Sequence, residues 1–219
     1  MRVDAGRTAD GMAPPVDEAD AARAQAYRLL SALLARPPSA DLLRRLGALA
    51  GDASPFGTAL GALAAAATAV TPAAAEREFN RLFIGVERGE LVPYASFYLT
   101  GFLQDRPLIR VRADLERLGV ARAAGVPEPE DHVATLAETM AVLIDGGLGA
   151  PAALDAQHRF FDRHLAPWAP RFFTDLERAD AAVLYRPVGA LGRLFLEIEA
   201  AAFALLPDPT GLTHEETTP

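Results

Sequence analysis

The sequence of 219 residues contains no cysteine. Disulfide bonds, thiolate metal sites and cysteine nucleophiles are therefore excluded, and the absence is compatible with a reducing compartment. The sequence also contains no lysine, so all 21 of its basic side chains are arginines. This second absence excludes a P-loop lysine and a Schiff-base lysine, and with them two common routes to enzymatic chemistry.

Long apolar runs are also missing. The richest candidate, residues 60–70, is dominated by alanine and is too short, since a membrane span needs about 20 apolar residues. Arg2 and Arg7 lie near the N-terminus, but no apolar run follows them, so the pattern does not predict a signal peptide. We therefore expect a cytoplasmic protein.

The formal net charge is −8, which argues against general nucleic-acid binding and against binding to an anionic membrane surface. It favours a basic partner or reflects solubility alone. Hydrophobic residues make up 51% of the chain and charged residues 23%, a balance typical of globular proteins. Abundant alanine and leucine, with only 7% aromatic residues, favour helices over strands.

Apolar residues recur with helical spacing between proline and glycine stops, and no segment predicts a strand. The sequence therefore predicts an all-α, single-domain helical bundle over residues 17–206, with two lobes joined by a hinge near residues 121–128 as a variant. Residues 1–16 and 207–219 lack periodicity and are expected to form a disordered leader and tail. The predicted helices cover about residues 17–35, 40–49, 55–70, 72–84, 107–118, 129–145, 152–165, 167–179 and 187–206.

Residues 85–106 interrupt the helical pattern with glycines, Pro93 and several aromatic residues. A long irregular connection inside a compact domain is uncommon and is often functional. Together with Leu82 and Phe83 at the end of the preceding helix, this segment has two interpretations. It is either a core helix followed by an aromatic-packed loop, or the wall of a groove that accepts an apolar peptide.

A cluster of carboxylates, Glu128, Glu130 and Asp131, comes immediately before His132. Acidic groups in a first helical turn complement the helix dipole, so capping of a helix that begins near Pro129 is one interpretation. The other is a site that receives guanidinium groups, which pair well with carboxylates.

His132 shares a helical row with Leu136 and Met140, so its ring should point inward or to the edge of the core. Asp131 and His132 are also the basis for an alternative reading as a small helical enzyme with an acid/base pair. The sequence lacks a nucleophile elbow, a HExxH metal motif and a dinucleotide-binding glycine motif. We therefore expect no catalysis, no metal and no cofactor.

Three blocks of this chain, in this order, resemble the TorD/DmsD/NarJ superfamily of redox-enzyme maturation chaperones, and its TorD-like branch in particular. The family pattern is an aromatic residue followed by Leu-Phe-x-Gly, then Pro-Tyr-x-Ser, then Glu-Pro-x-Asp-His. The corresponding residues here are Phe79, Leu82, Phe83 and Gly85, then Pro93-Tyr94-Ala95-Ser96, then Glu128-Pro129-Glu130-Asp131-His132. Many members have glutamate at the position of Ala95. The resemblance extends over about residues 20–205.

The resemblance implies an all-helical chaperone that binds the twin-arginine signal peptide of a molybdenum oxidoreductase precursor. Such a chaperone holds back export until the cofactor is inserted and the enzyme is folded. It also implies a monomer, or a dimer formed by exchange of helices, and clients of the formate dehydrogenase or dimethyl sulfoxide reductase type. The signal-peptide-binding residues that it implies are Leu82, Phe83, Tyr94, Ser96, Glu128, Asp131 and His132.

Overall fold

A computed structural model of the chain describes residues 17–85, 88–120, 128–147 and 149–206. Within these ranges the chain forms ten α-helices and one π-helical turn and contains no strand, so the all-α prediction is confirmed. The helices are α1 Glu18–Ala35, α2 Ala40–Gly47, α3 Pro55–Ala69, α4 Pro72–Phe79, α5 Ala95–Thr100, α6 Arg106–Arg117, α7 Val133–Asp145, α8 Leu154–His164, α9 Ala169–Arg178 and α10 Tyr185–Phe203, and the π-helical turn is Asn80–Ile84. The expected leader, the expected tail and residues 121–127 of the expected hinge lie outside the described residues.

The first four helices begin at side-chain caps that are visible in the sequence. In each case the side chain of the capping residue accepts a hydrogen bond from a backbone N–H three residues later, which satisfies one of the free donors of the first turn. The capping residues are Asp17, Ser39, Ser54 and Thr71. Local chemistry therefore determines where these helices start.

The core forms where α1 packs against α7, and where α10 packs against α9 and α3. The largest side chains that are fully buried there are aromatic, and they include Trp168, Tyr27, Tyr185, Phe161 and Phe172. Burial of one such side chain contributes about 1.5–3 kcal/mol to folding. The phenol of Tyr185 also donates to the backbone oxygen of Leu33 at 2.8 Å, which ties α10 to the end of α1.

A buried ion pair joins the two longest helices. Arg23 on α1 donates to both carboxylate oxygens of Glu199 on α10, at 2.7 and 2.9 Å. The phenol of Tyr27 donates to the same carboxylate at 3.1 Å. Because Glu199 is only 1% exposed, these charged hydrogen bonds compensate for the cost of its burial.

Two carboxylates hold the loop that precedes α10. Glu78, at the end of α4, accepts from the backbone N–H groups of Val183 and Tyr185 at 2.7 and 2.8 Å. Glu90 accepts from the N–H groups of Asp180 and Ala181 at 2.6 and 3.1 Å. These contacts fix α4 and the irregular segment that follows it against the C-terminal half of the core.

Tertiary contacts shift three of the predicted boundaries. The segment expected to be irregular, residues 85–106, contains the short helix α5. The helix expected from Pro129 starts instead at Val133, because the preceding backbone bonds to residues 93–95 rather than to its own next turn. The prediction that the carboxylates of residues 128–131 occupy a first helical turn is therefore wrong. The last helix begins at Tyr185, two residues before the predicted start.

No single helix in the described ranges is both long and apolar enough to cross a bilayer. The helices Pro55–Ala69 and Pro72–Ile84 together have the length and composition of a membrane span. The pair is bent by 116° at the break between the two helices.

Candidate functional site

Two segments far apart in the sequence lie side by side at the candidate site. The backbones of Tyr94 and His132 form an isolated antiparallel pairing. On either side of it, Val133 N donates to Pro93 O at 2.9 Å and Ala95 N donates to Asp131 O at 3.0 Å. The structure thus brings together two of the sequence blocks from which site residues were predicted.

We call the paired residues 93–95 and 131–133 the junction. Asp131 lies inside this junction rather than on its surface. It is 0% exposed, and its Oδ2 atom accepts a 2.9 Å hydrogen bond from the backbone N–H of Ser96 at the start of α5. Its Oδ1 atom and the hydroxyl of Ser96 are buried without a hydrogen-bond partner among the described residues. Both side chains are therefore fully buried in this conformation, and Asp131 acts as a brace between the two segments.

The side chain of His132 caps the N-terminus of α7. Its Nδ1 atom accepts a hydrogen bond from Ala134 N at 3.1 Å, and its ring is packed edge-on against Tyr94 with 4.9 Å between the ring centres. Burial lowers the pKa of His132 to about 4, although Glu128 and Asp131 act in the opposite direction. The ring is therefore neutral near pH 7. The inward orientation expected from the helical row is confirmed, and the geometry offers no exposed Asp131–His132 pair for acid/base catalysis.

Tyr94 and Glu128 form the accessible polar part of the site. Both are half-buried, and the Tyr94 phenol donates to Glu128 Oε2 at 2.6 Å. Burial and the neighbouring Glu128 carboxylate raise the pKa of Tyr94 well above its ordinary value, so the phenol stays protonated and remains a donor. Next to them, Glu130 accepts a hydrogen bond from Nε of Arg112 on α6 at 2.9 Å.

An open apolar groove of about 400 Å³ begins at Tyr94. It lies between the π-helical turn and the segment of residues 88–103, and π-helical turns occur frequently at functional sites. The lining residues include Phe83, Ile84, Val92, Phe97, Phe102 and Leu103. Three of these apolar residues are largely exposed to solvent: Phe102 is 72% exposed, Ile84 59% and Leu103 55%. A cluster of exposed apolar side chains next to polar groups is typical of a surface that binds a partner.

The groove is anchored to the core at both ends. The ring of Phe83 packs against Tyr185 with 5.4 Å between ring centres. Tyr98 on α5 lies against Trp168 at 5.4 Å and donates to Asp175 at 3.1 Å. The groove walls are thus held by buried aromatic side chains, so its shape does not depend on the loop alone.

The structure separates the seven predicted site residues into two groups. Phe83, Tyr94 and Glu128 are partly exposed at the groove and its rim, whereas the other four, Leu82, Ser96, Asp131 and His132, are buried. Sequence reasoning missed the exposed groove residues Ile84, Phe102 and Leu103. Phe102 and Leu103 carried a usable signal, because they are large apolar residues that follow Gly101 outside any predicted helix.

Among the described residues, no group of three or more histidine, aspartate or glutamate side chains is arranged to hold a metal ion. The histidine at the end of α8, His164, is instead paired with Asp114 on α6, with 2.6 Å between His164 Nε2 and Asp114 Oδ2. This buried pair lies outside the groove and ties α8 to α6.

Comparison with known proteins gives a consistent family and fold. Residues 49–174 match the family model described as the nitrate reductase delta subunit. The chain is 32% identical over 127 residues to the chaperone protein TorD of Vibrio cholerae, covering 55% of this chain and 58% of that protein. It is 28% identical over 135 residues to TorD of Aliivibrio fischeri, covering 58% and 63%. The alignments thus span less than two thirds of these relatives.

A solved structure described as a candidate redox enzyme maturation protein from Archaeoglobus fulgidus shares the fold. It superposes with a TM-score of 0.57 at 22% sequence identity, over 80% of this chain and 93% of that one. The family model matches more than half of the chain and includes the Leu82–Gly85, Pro93–Ser96 and Glu128–His132 blocks. This chain belongs to the nitrate reductase delta subunit family, within the TorD/DmsD/NarJ superfamily.

Proposed function

We propose that this protein is a cytoplasmic maturation chaperone that binds the twin-arginine signal peptide of a molybdenum oxidoreductase precursor. It holds back export of the precursor until the cofactor is inserted and the enzyme is folded. Two observations outside the site support the proposal: the family to which the chain belongs, and the name of its curated relatives, which are called chaperones.

The observation that carries the proposal is the position of a carboxylate at the rim of an apolar groove. Tyr94 lines the groove and is bonded through its phenol to Glu128 at 2.6 Å. A twin-arginine signal peptide presents two guanidinium groups followed by an apolar stretch. It therefore needs negative charge next to an apolar surface, and this rim offers that combination.

The expected energies suit a reversible complex. A hydrogen bond between charged groups contributes about 1.5–3 kcal/mol when it is partly desolvated. Burial of apolar side chains in the groove adds about 25 cal/mol per Å², from which the cost of ordering the peptide is subtracted. A complex near −8 kcal/mol, with a micromolar dissociation constant, can form and still release its client.

The proposed clients are precursors of the formate dehydrogenase or dimethyl sulfoxide reductase type. The sequences of residues 91–103 and 160–173 resemble the corresponding sequences of family members that serve formate dehydrogenase. We propose a monomer as the binding form, with a helix-exchanged dimer as the second arrangement that the family resemblance implies.

Calorimetric titration of the purified chain with the signal peptide of the molybdenum enzyme encoded nearest to it tests the proposal. The matched control is the same peptide with both arginines replaced by alanine. We expect saturable micromolar binding that the replacement weakens at least tenfold. Equal binding of both peptides, or binding of neither, would contradict recognition of the arginine pair.

A further inference from the structure

One charged side chain lies in the otherwise apolar groove. Among the described residues that line the groove, only Arg88 carries a charge. Its guanidinium lies over the ring of Phe97, another lining residue, at 5.4 Å from the ring centre, which is within the range of a cation–π contact. The Arg88 side chain is exposed and forms no ion pair within the described part of the chain. Its positive charge is therefore available to a segment that enters the groove.

The backbone that carries Arg88 is fixed against the π-helical turn. Leu91 N donates to Leu82 O, in that turn, at 2.8 Å. Gly89 approaches the turn so closely that a Cβ atom there would lie 2.5 Å from the backbone carbonyl carbon of Phe83. The fold therefore sets the position of the positive charge in the groove, to within the reach of the Arg88 side chain.

This charge acts against the electrostatics of the protein as a whole. The net charge of −8 attracts a cationic peptide and repels an anionic one. Near Arg88 the sign of this preference is reversed, because a charge a few ångströms away acts more strongly than distant charges that salt screens. A carboxylate of the bound segment would gain a charged hydrogen bond from the guanidinium, whereas a cation would be repelled by it.

We propose that Arg88 is a specificity-determining residue of the groove: it admits an apolar peptide segment that is neutral or carries a carboxylate, and it rejects a segment that carries a cation. This inference rests on the proposed function, and it names the chemistry of the peptide segment that follows the arginine pair. It also fixes which part of the peptide enters the groove, because the arginine pair is kept at the rim and the apolar stretch is not.

Peptides that differ by a single charge test the proposal. The parent is the twin-arginine signal peptide of the molybdenum enzyme encoded nearest to the protein. In each derivative, one position of the apolar stretch is replaced in turn by lysine, by glutamate or by glutamine, which is the neutral reference. All peptides are titrated calorimetrically into the full-length wild type and into Arg88→Met, which removes the charge and keeps an apolar stem.

Arg81→Met is the matched control for Arg88→Met. Arg81 is exposed on the π-helical turn but does not line the groove, so its replacement makes the same change of net charge outside the groove. A third variant, Arg88→Glu, reverses the charge at the same position. Circular dichroism verifies that all three variants keep the helical fold.

We expect at least one position in the apolar stretch at which the wild type binds the glutamate peptide about three- to tenfold more tightly than the lysine peptide, the range for partly exposed charge pairs. At the other positions the net charge should favour lysine. The preference for glutamate should disappear in Arg88→Met, persist in Arg81→Met and be inverted in Arg88→Glu. High salt should reduce it.

Two results would overturn the role of Arg88 while the parent peptide still binds and the proposed function stands. One is a preference of the wild type for lysine at every position. The other is a preference for glutamate that Arg88→Met retains, or that Arg81→Met loses to the same extent. If the wild type does not distinguish the parent from the peptide with both arginines replaced by alanine, the proposed function itself fails, and the role of Arg88 falls with it.

Discussion

The carboxylate of Asp131 accepts a 2.9 Å hydrogen bond from the backbone N–H of Ser96, although 35 positions separate the two residues in the chain. A fully buried carboxylate in this position caps α5 and joins it to the start of α7. Under the proposed function its contribution is indirect, because it holds the segments that carry Tyr94 and Glu128 together.

Because Asp131 braces the two segments, we predict that Asp131→Ala destabilises the protein. The substitution leaves the buried N–H of Ser96 without its acceptor, which costs about 1–3 kcal/mol. Asp131→Asn retains an acceptor oxygen and should lose less. Urea unfolding of both variants measures the free energy of unfolding, and peptide titration measures the accompanying loss of affinity. Unchanged stability together with abolished binding would instead indicate direct contact with the peptide.

Phe102 is predicted to contribute binding energy but little stability. Its ring is 72% exposed at the groove, so Phe102→Ser should change the free energy of unfolding by no more than about 0.5 kcal/mol. It should weaken peptide binding about tenfold, since an apolar peptide segment would otherwise cover the ring.

Ile109→Ser is the matched control for Phe102→Ser. Ile109 is 65% exposed on α6 and does not line the groove. We expect its replacement to leave peptide affinity unchanged in the same titration. Similar losses in the two variants would assign the effect to general surface hydrophobicity rather than to the groove.

The stability of the folded protein should fall between pH 6.5 and about 4. Burial lowers the pKa of His132 to about 4 in the folded state, whereas the unfolded chain takes up the proton near 6.5. The unfolded state therefore binds more protons inside this window, and stability is retained above it and lost as the pH decreases through it. The contribution of one histidine is at most about 1.4 kcal/mol per pH unit.

His132→Asn separates the contribution of His132 from that of His164, whose pKa is also lowered to about 4 by burial and by neighbouring arginines. Asparagine is a good N-cap and does not titrate. Urea unfolding at a series of pH values should show a shallower pH dependence for His132→Asn than for the wild type. Superimposable profiles would show that His132 titrates alike in the folded and unfolded states.

Glu78→Ala is predicted to be among the most destabilising single substitutions that leave the groove residues in place. Glu78 is 8% exposed and accepts three backbone N–H groups at the start of α10, those of Val183, Leu184 and Tyr185. Removal of these charged acceptors should cost about 3 kcal/mol. Glu76→Ala, on the exposed face of the same helix, should cost under about 0.5 kcal/mol in the same thermal unfolding measurement.

Local sequence signals were sufficient to predict the all-α fold class and the starts of most helices. The caps at Asp17 and Ser39 act over three residues, so the sequence contains all the information that they need. The stop at Gly146 is equally local, because this residue has a positive φ angle, of 74°, that glycine adopts without strain.

The order and spacing of three short sequence blocks were sufficient to identify the family. The sequence by itself therefore determined an all-α fold, the superfamily, and the two segments from which site residues were predicted. These properties depend on residue type and spacing along the chain, and both are explicit in the sequence.

Only the tertiary structure decided which of the predicted residues are accessible. Asp131 and Glu128 are the same kind of residue three positions apart, yet the first is 0% exposed and the second is half-buried beside Tyr94. The difference arises because the backbone of residues 131–133 pairs with that of residues 93–95. Burial at such a junction depends on partners about 35 positions away, and no local pattern encodes which side of the junction will face solvent.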